Sequence, residues 1–222
     1  AEGQTAYAAQ QGTWKKSSGK WWYAYNGGGY AKSGWAQIDG KWYLFDGAGW
    51  MKTGWQQVGG KWYHLSGSGA MQTGWLKDGK TWYYLNQSGA MATGWQKVGG
   101  SWYYLAKSGA MKTGWQKVGG SWYYLKGSGA MAANTWIGDY YVDGSGVMAT
   151  NCWIGKYYVD ANGKWDRSKS GTNLADTKTV YWVDNGEVYH LTKDCVSLKR
   201  STGIHSGTVA QSGKSRVCSN CG

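Results

Sequence analysis

Residues 94–111 read GWQKVGGSWYYLAKSGAM, and this stretch contains the pattern that decides the fold. Gly-Trp pairs recur at intervals of twenty residues, and a second Trp follows seven residues after the Trp of each pair. The five pairs begin at Gly34, Gly54, Gly74, Gly94 and Gly114. A fixed period of this length predicts a stack of small repeats, which is unlike the core of a globular enzyme.

Each repeat is predicted to be a β-hairpin. Residues 95–98 and 101–105 are short β-prone segments, and the Gly99-Gly100 pair between them accepts the positive φ of a two-residue turn. We therefore expect Val98 to pair with Ser101 across the turn.

Strand alternation in this register sorts the side chains of the hairpin onto two faces. Trp95, Trp102 and Tyr104 are expected on one face, and Tyr103 and Leu105 on the other. The face with the leucine is the one to bury between neighbouring repeats. The three rings of the first face form a group that attracts a cation, above all a quaternary ammonium group. The alternative is that these rings have only a structural role and pack neighbouring hairpins against each other.

The composition agrees with a ring-rich stack. The chain has 18 Trp, 18 Tyr and one Phe, with 38 Gly and no Pro, and its few aliphatic residues are too scarce for one large core. Stability is therefore expected to come from contacts between neighbouring repeats. The net charge of +12 favours a polyanionic environment. No apolar run approaches the roughly 20 residues that span a bilayer, so no membrane span is predicted.

The pattern GWQKVGGSWYYLxxSGAMxTGW resembles the choline-binding repeats of pneumococcal-type surface proteins and cell-wall lysins, over residues 13–165. The resemblance implies hairpins stacked in a left-handed superhelix. It also implies one choline at each junction, between two Trp of one repeat and a Tyr of the next, with a connector Met nearby. The implied choline sites are Trp55, Trp62 and Tyr84; Trp75, Trp82 and Tyr104; Trp95, Trp102 and Tyr124; and Trp115, Trp122 and Tyr141, with Met71, Met91 and Met111. The choice of the second Tyr of each pair follows from strand parity and not from the family.

Both ends of the repeat region depart from the pattern. Trp14 and Trp22 are eight residues apart, which aligns Ala24 with the second Tyr position; Leu44 and His64 occupy that position in the next two repeats. At the other end, TWIGDYYVD and CWIGKYYVD are shortened hairpins. These resemble the terminal repeats of the family, which cap the stack and in some members mediate dimerisation, so a homodimer through these repeats is a further expectation.

A different unit follows the repeats. Residues 166–178 are polar and read as a linker, and residues 180–191 alternate around Asn185-Gly186, which predicts a hairpin. Four ligand types suited to zinc then follow with the spacing His-x4-Cys and Cys-x2-Cys. They are His190, Cys195, Cys218 and Cys221, and they predict a closed Cys3His structural zinc site. The unit also resembles, weakly, small YH-x4-C…C-x2-C tails of bacterial surface and nuclease-like proteins.

Two other readings of the cysteines stay open. An exported chain with four cysteines, the fourth being Cys152, is able to form two disulfides, and a reactive thiol is the third reading. Cys152 corresponds to Thr135 of the preceding repeat. This favours an incidental substitution within a repeat over a role for Cys152 in a disulfide.

The sequence therefore predicts an all-β fold: a solenoid of stacked β-hairpin repeats with a small metal- or disulfide-stapled C-terminal module. The expected divisions are residues 1–12, the repeat domain 13–165, the linker 166–178 and the module 179–222. No catalytic motif is found, and only two Glu are present, so no enzyme activity is predicted.

The expected function is attachment. We expect a secreted protein held noncovalently on the bacterial cell wall through phosphorylcholine on teichoic or lipoteichoic acid, with residues 166–222 displayed for a partner such as a host protein. Two alternatives remain: a glucan-binding repeat module, and nucleic-acid binding by the module through Lys199, Arg200, Lys214 and Arg216.

Overall fold

A computed structural model of the chain describes residues 10–169, 179–191, 193–195, 197–199, 201–207, 209–214, 216–218 and 221. Contacts within the chain divide it into two compact units, with the boundary between Lys112 and Thr113. The first unit is built from five β-hairpins. The second contains three further hairpins and the C-terminal module.

The hairpins of the first unit are all antiparallel two-stranded sheets. Their strands are β1 Gly12–Ser17, β2 Lys20–Tyr25, β3 Gly34–Ile38, β4 Lys41–Phe45, β5 Gly54–Val58, β6 Lys61–Leu65, β7 Gly74–Asp78, β8 Thr81–Leu85, β9 Gly94–Val98 and β10 Ser101–Leu105. The predicted register is confirmed, since Ser101 pairs with Val98 and Tyr104 pairs with Trp95. Gly99 and Gly100 both have positive φ, at 56° and 82°, as the predicted two-residue turn requires.

One aliphatic or aromatic side chain per hairpin forms the buried spine of each unit. Leu65, Leu85 and Leu105 are fully buried in the first unit, and Phe45 takes the same position in β4. Leu125, Val142 and Val159 continue the pattern in the second unit, again with no exposed surface. The predicted burial of the leucine face is therefore confirmed, and each repeat contributes one side chain to the core.

Backbone hydrogen bonds join the connectors to earlier hairpins. The N–H of the connector Met bonds not to the hairpin that the connector directly follows but to the hairpin before that one. The N–H of Met71 donates to the carbonyl oxygen of Trp42, that of Met91 to Trp62 and that of Met111 to Trp82, each at 2.8 Å. The same bond joins Met148 to Trp122 in the second unit. These bonds repeat with the period of the sequence, so consecutive hairpins stack in a fixed register.

The three hairpins of the second unit become shorter along the chain. Their strands are β11 Gly114–Val118, β12 Ser121–Leu125, β13 Thr135–Ile137, β14 Tyr140–Val142, β15 Cys152–Ile154 and β16 Tyr157–Val159. The last two hairpins have strands of three residues where the others have five, as the motifs TWIGDYYVD and CWIGKYYVD predict. The all-β fold class and the stacked hairpin repeats are thus confirmed.

The C-terminal module differs in part from its prediction. Tyr181 and His190 are bridged, which is the register that an Asn185-Gly186 turn predicts. The turn nevertheless closes one residue earlier, between the carbonyl of Val183 and the N–H of Gly186, so the second predicted strand does not continue the hairpin.

Other segments take up the pairing instead. Strand β17 Val180–Trp182 pairs with β18 His205–Gly207, and Tyr189 forms a parallel bridge with Val217. A four-residue helix, α1 Val209–Ser212, follows β18.

The first hairpin also corrects a predicted alignment. Strand pairing places Trp14 opposite Tyr23 and Lys16 opposite Trp21, just as Trp35 lies opposite Leu44 and Gln37 opposite Trp42. The pair seven residues apart is therefore Trp14 and Trp21, not Trp14 and Trp22 eight apart. Tyr23, and not Ala24, occupies the second Tyr position. The described part of the chain contains no helix long and apolar enough to cross a membrane.

Candidate functional site

The three rings predicted to share one face of a hairpin do so. In β9 and β10 the ring centroids of Trp95 and Tyr104 are 5.1 Å apart, and those of Trp95 and Trp102 are 6.4 Å apart with the planes nearly perpendicular. In four consecutive hairpins the second Trp is exposed over about two fifths of its surface: Trp62 by 41%, Trp82 by 39%, Trp102 by 42% and Trp122 by 39%. The equivalent Trp42 is half-buried. These four hairpins thus expose large apolar rings to solvent, which is typical of a binding surface.

Contacts between consecutive hairpins use the other Tyr of each pair. The centroid of Tyr83 lies 4.9 Å from that of Trp55, and Tyr103 lies 4.7 Å from Trp75. In the second unit, Tyr140 lies 5.5 Å from Trp115.

The predicted second Tyr packs elsewhere. Tyr84, Tyr104, Tyr124 and Tyr141 each contact the first Trp of their own hairpin, at centroid distances of 5.0, 5.1, 5.2 and 5.4 Å. The structure therefore does not bring Tyr84 to Trp55, Tyr104 to Trp75 or Tyr141 to Trp115. The physical reason is strand alternation: the preceding hairpin lies against the buried face, and the first Tyr of the pair is on that face.

One ring group lines an open cavity of about 340 Å³ in the first unit. Trp55 and Trp62 come from one hairpin, Tyr83 from the next, and Met91 from the connector after that. Lys107 and Ser108, from the following connector, complete the lining. The predicted members Trp55, Trp62 and Met91 are brought together here, with Tyr83 in place of Tyr84.

The same arrangement recurs around other Trp pairs. Met111 is bonded to Trp82 through its backbone N–H, and Met71 is bonded in the same way to Trp42. Met71 thus belongs with a ring group that the sequence did not predict, in which Tyr63 lies 5.1 Å from Trp35. Met148 takes the equivalent position beside Trp122.

Sequence reasoning missed residues that carry a readable signal. The first Tyr position holds Tyr43, Tyr63, Tyr83, Tyr103, Tyr123, Tyr140 and Tyr157, one in each hairpin after the first. The second position varies between Leu44, His64 and Tyr84. Invariance within the chain marks the position that meets the neighbouring repeat, because that contact recurs between consecutive hairpins within each unit.

The Trp55 group has two further polar neighbours. The indole Nε1–H of Trp55 donates to Asp78 Oδ2 at 2.9 Å, and the ring of His64 packs on Trp55 with centroids 5.0 Å apart. His64 is itself held by Gln72, whose Oε1 lies 2.5 Å from Nδ1. His64 thus replaces the supporting Tyr of other hairpins. Asp78 stands where β5, β9 and β11 end in Val.

The first and the last ring groups of the repeat region differ from the others. Near the N-terminus, Trp14 contacts Tyr43 at 4.8 Å and stacks on Phe45 at 5.9 Å, so the larger Phe fills space beside the ring. Near the other end, Trp165 takes the place of the connector Met and lies 6.4 Å from Trp136. The guanidinium of Arg167 covers Trp165 at 4.2 Å.

Arg167 is fixed there by an ion pair with Asp139, in which Nη2 and Oδ1 are 2.7 Å apart. The hydrogen bond from Arg167 lowers the pKa of the Asp139 carboxyl group. The chain therefore supplies its own cation to the last ring group.

The four predicted metal ligands converge in the C-terminal module. The donor atoms of His190, Cys195, Cys218 and Cys221 all lie within 4.8 Å of one another. Cys195 Sγ is 3.8 Å from Cys218 Sγ, and Cys221 Sγ is 3.6 Å from His190 Nδ1. Bond lengths of about 2.3 Å to sulfur and about 2.0–2.1 Å to nitrogen in a tetrahedron place such donors about 3.6 to 3.8 Å apart. The donor set therefore fits a zinc ion in type and in spacing.

Crowding of the thiols changes their acidity. Hydrogen bonds from Cys221, from the backbone at Ser197, and from His190 and Cys218 lower the pKa of Cys195 to about 6, because they stabilise its thiolate. Burial and the neighbouring Cys195 raise the pKa of Cys221 to about 11. One thiolate thus disfavours ionisation of the next thiol, unless both sulfurs bind the same cation.

All four cysteines are free thiols in the structure. Cys152 is half-buried and is not part of the ligand cluster; burial raises the pKa of its thiol. It lines a separate cavity of about 660 Å³ in the second unit together with Asp143, Glu187 and Arg216.

Comparison with known proteins identifies the repeats. Models of the choline-binding repeat match residues 52–93, 92–136 and 130–165, and a model of a putative cell wall binding repeat matches residues 33–51. No curated protein sequence matches the chain.

Solved structures of Streptococcus pneumoniae proteins are similar to the chain. CbpJ from strain TIGR4 is 43% identical over 70% of this chain and 58% of its own, with a TM-score of 0.65. Choline binding protein F is 41% identical over 71% of this chain and 58% of its own, with a TM-score of 0.66. The choline-binding domain of CbpL is 32% identical over 71% of this chain and 98% of its own, with a TM-score of 0.50.

The chain is therefore a repeat protein of stacked aromatic hairpins. It belongs to the choline-binding repeat family. It spans 58% of the length of CbpJ and of choline binding protein F.

Proposed function

We propose that the protein attaches to phosphorylcholine groups on teichoic or lipoteichoic acid of the bacterial cell wall, without catalysing a reaction. The observation that carries the proposal is the cavity lined by Trp55, Trp62, Tyr83 and Met91. Three aromatic rings and a polarisable thioether line this cavity, and these are the groups that suit a quaternary ammonium ion. Such a cation loses little hydrogen-bonded hydration on entry, and the gain is about 2 kcal/mol when it is desolvated.

The other cages follow by repetition. Their members are Trp35, Trp42, Tyr63 and Met71; Trp75, Trp82, Tyr103 and Met111; and Trp115, Trp122, Tyr140 and Met148. Trp95 and Trp102 are a further predicted site. Tyr84, Tyr104, Tyr124 and Tyr141 are assigned a supporting role, each holding the first Trp of its own hairpin from the side.

The proposed organisation keeps the predicted divisions. Residues 13–165 bind the wall, residues 166–178 link, and residues 179–222 form a module in which His190, Cys195, Cys218 and Cys221 hold a structural zinc ion. Bound zinc supplies a crosslink between the segments that carry its ligands. Presentation of residues 166–222 to a host protein and dimerisation through the shortened repeats remain proposals. Residues 170–178 lie outside the described part of the chain.

Nucleic-acid binding by the module is less favoured. Arg216 is paired with Glu187 at 3.3 Å, and the ammonium of Lys214 donates to the carbonyl of Asp184 at 3.1 Å. Two of the four basic residues behind that hypothesis are thus engaged within the module, and Arg200 is outside the described residues. A glucan ligand remains an outcome of the test below.

Retention on a choline or diethylaminoethyl resin tests the proposal. We expect the protein to resist salt and to elute with free choline, with a change in Trp fluorescence on titration, because the rings are the site. A soluble glucan serves as the competing ligand. Elution by salt alone would contradict the cages, and elution by glucan but not by choline would assign the other ligand.

A further inference from the structure

We propose that the Trp55 cage recognises the phosphate as well as the ammonium of phosphorylcholine, through an anion subsite formed by Lys107 and Ser108. The inference rests on the proposed choline-binding function and adds a second half to one of its sites. In phosphorylcholine the phosphate is joined to the ammonium by a two-carbon linker, so a phosphate group must lie at the mouth of any cage that the ammonium fills. Lys107 and Ser108 line this cavity together with the rings.

The charge at this position belongs to one connector alone. In the twenty-residue repeat, the positions equivalent to Lys107 are Gly67, Gln87 and Gly127. Lys107 is exposed, and among the described residues it has no carboxylate partner or hydrogen bond. A cation at the rim repels free choline, so its presence favours a ligand that brings its own anion.

The residue that begins this connector, at position 106, also differs from its equivalents in a way that suits an anion. In several other connectors, although not in those that begin at Ser66 and Lys126, an Asp or Asn side chain accepts the N–H two residues later: Asn86 accepts from Ser88 at 2.9 Å and Asp143 from Ser145 at 2.8 Å. Position 106 is Ala, which offers no oxygen to Ser108. The Ser108 N–H therefore has no side-chain acceptor at position 106, and the Ser108 hydroxyl oxygen accepts the Ala110 N–H at 3.5 Å. Where the acceptor is Asp143, the connector also carries a negative charge that position 106 lacks.

An acid also contacts this cage. Asp78 is not among the residues that line the cavity, but its carboxylate accepts the indole N–H of Trp55, one of the lining rings, at 2.9 Å. A carboxylate thus contacts one ring of the cage and the Lys107 ammonium lines the cavity, so each charge of a zwitterion has a counterpart at this cage. Where Asp78 stands, the hairpins of β5, β9 and β11 have Val.

The test uses the full chain labelled with 5-fluorotryptophan. The fluorine signals of Trp62 and Trp42 are assigned from Trp62→Phe and Trp42→Phe, and each is titrated with choline and with phosphorylcholine. We expect phosphorylcholine to bind at Trp62 about twofold to fivefold more tightly than choline, the range that an exposed ion pair supplies. At Trp42, where the equivalent connector residue is Gln87, we expect no such preference.

Two substitutions test the assignment. Lys107→Gln introduces the residue of the matched connector and is expected to abolish the preference at Trp62, and Gln87→Lys is expected to create one at Trp42. The preference at Trp62 should also decline with salt. An unchanged ratio of the two affinities in Lys107→Gln would overturn the anion subsite and leave choline binding intact. Absence of any shift with either ligand at both tryptophans would instead overturn the proposed function.

Discussion

Tyr103 and Tyr104 are neighbours in the sequence with different structural partners. Tyr103 points to the buried face and reaches Trp75 of the preceding hairpin, whereas Tyr104 lies beside Trp95 of its own. At the scale of single residues, the proposed choline sites thus depend on which side of a strand each ring occupies. The polar residues around Trp55 then distinguish one ring group from the others.

Substitution of the two tyrosines separates their roles. We expect Tyr103→Ala to weaken choline binding at Trp75 and Trp82 about tenfold, because a desolvated cation–π contact of about 1–2 kcal/mol is lost. Tyr104→Ala is the matched control and should leave that site occupied. The fluorine signal of Trp82 in a choline titration measures both. If Tyr104→Ala empties the site and Tyr103→Ala does not, the cage is formed by the Tyr that strand parity predicts.

Asp78 is expected to strengthen the cage that it touches. Asp78→Val should weaken choline binding at Trp62 about twofold to threefold, because an exposed hydrogen bond that orients Trp55 contributes about 0.5 kcal/mol. The equivalent residue behind Trp75 is Val98, so Val98→Asp is the reciprocal variant and should strengthen binding at Trp82. Equal choline affinities in the wild type and Asp78→Val would show that the carboxylate has no part in binding.

At the scale of elements, the hairpins and the module are stabilised differently. Each hairpin with five-residue strands buries one leucine or, in β4, Phe45, and in the first unit a connector Met bonds each of them to its predecessor. The connector turn requires Gly: Gly109 has φ of +85°, and a Cβ there would overlap the sulfur of Met91. The C-terminal module has only short strands and a small cluster around Cys195, Leu198 and Cys218, and so needs a crosslink to fold.

Metal analysis tests that crosslink. We expect about one zinc per chain, and expect Cys218→Ser or His190→Ala to lose it and unfold residues 180–222 while choline retention is unchanged. Cys152→Ser is the control and should keep the metal, since Cys152 lies outside the ligand cluster. Elemental analysis and circular dichroism provide the readouts. A nonreducing mass that is lower by two hydrogen atoms per bridge, in a metal-free chain, would assign disulfides instead.

At the scale of the whole molecule, the proposed choline sites are linked in one chain with a net charge of +12. A polymer that carries many choline groups engages a second cage at the effective concentration set by the first. The positive charge adds attraction to a polyanion, which salt screens. Attachment to a wall is therefore expected to depend on the number of cages more than on the affinity of any one.

Competition between monomeric and polymeric ligand measures this effect. We expect choline-bearing teichoic acid to bind more tightly per choline group than free choline by a factor on the order of 10² or more. A chain with Trp62→Ala and Trp122→Ala should lose much of that factor while its remaining cages keep their affinity for free choline. Surface plasmon resonance on immobilised teichoic acid measures the loss. Equal affinities per choline for polymer and monomer would rule out multivalent attachment.

Much of the fold was predictable from local sequence. The twenty-residue period, the Gly-Gly turns and strand alternation determine the hairpin register and the ring-bearing face, because all three act within about twenty residues. The ligand set His190, Cys195, Cys218 and Cys221 was likewise readable, since residue type and spacing limit what binds zinc.

Contacts between hairpins were decided by the tertiary structure alone. That Tyr83 and not Tyr84 reaches Trp55 depends on which face the preceding hairpin covers, and alternation within one hairpin does not specify its neighbour. The choice of Trp21 over Trp22 likewise follows from strand pairing, where the first hairpin departs from the repeat. In the module, the parallel bridge of Tyr189 with Val217 brings His190 to the Cys-x2-Cys segment, a pairing between residues far apart in the chain that no local pattern encodes.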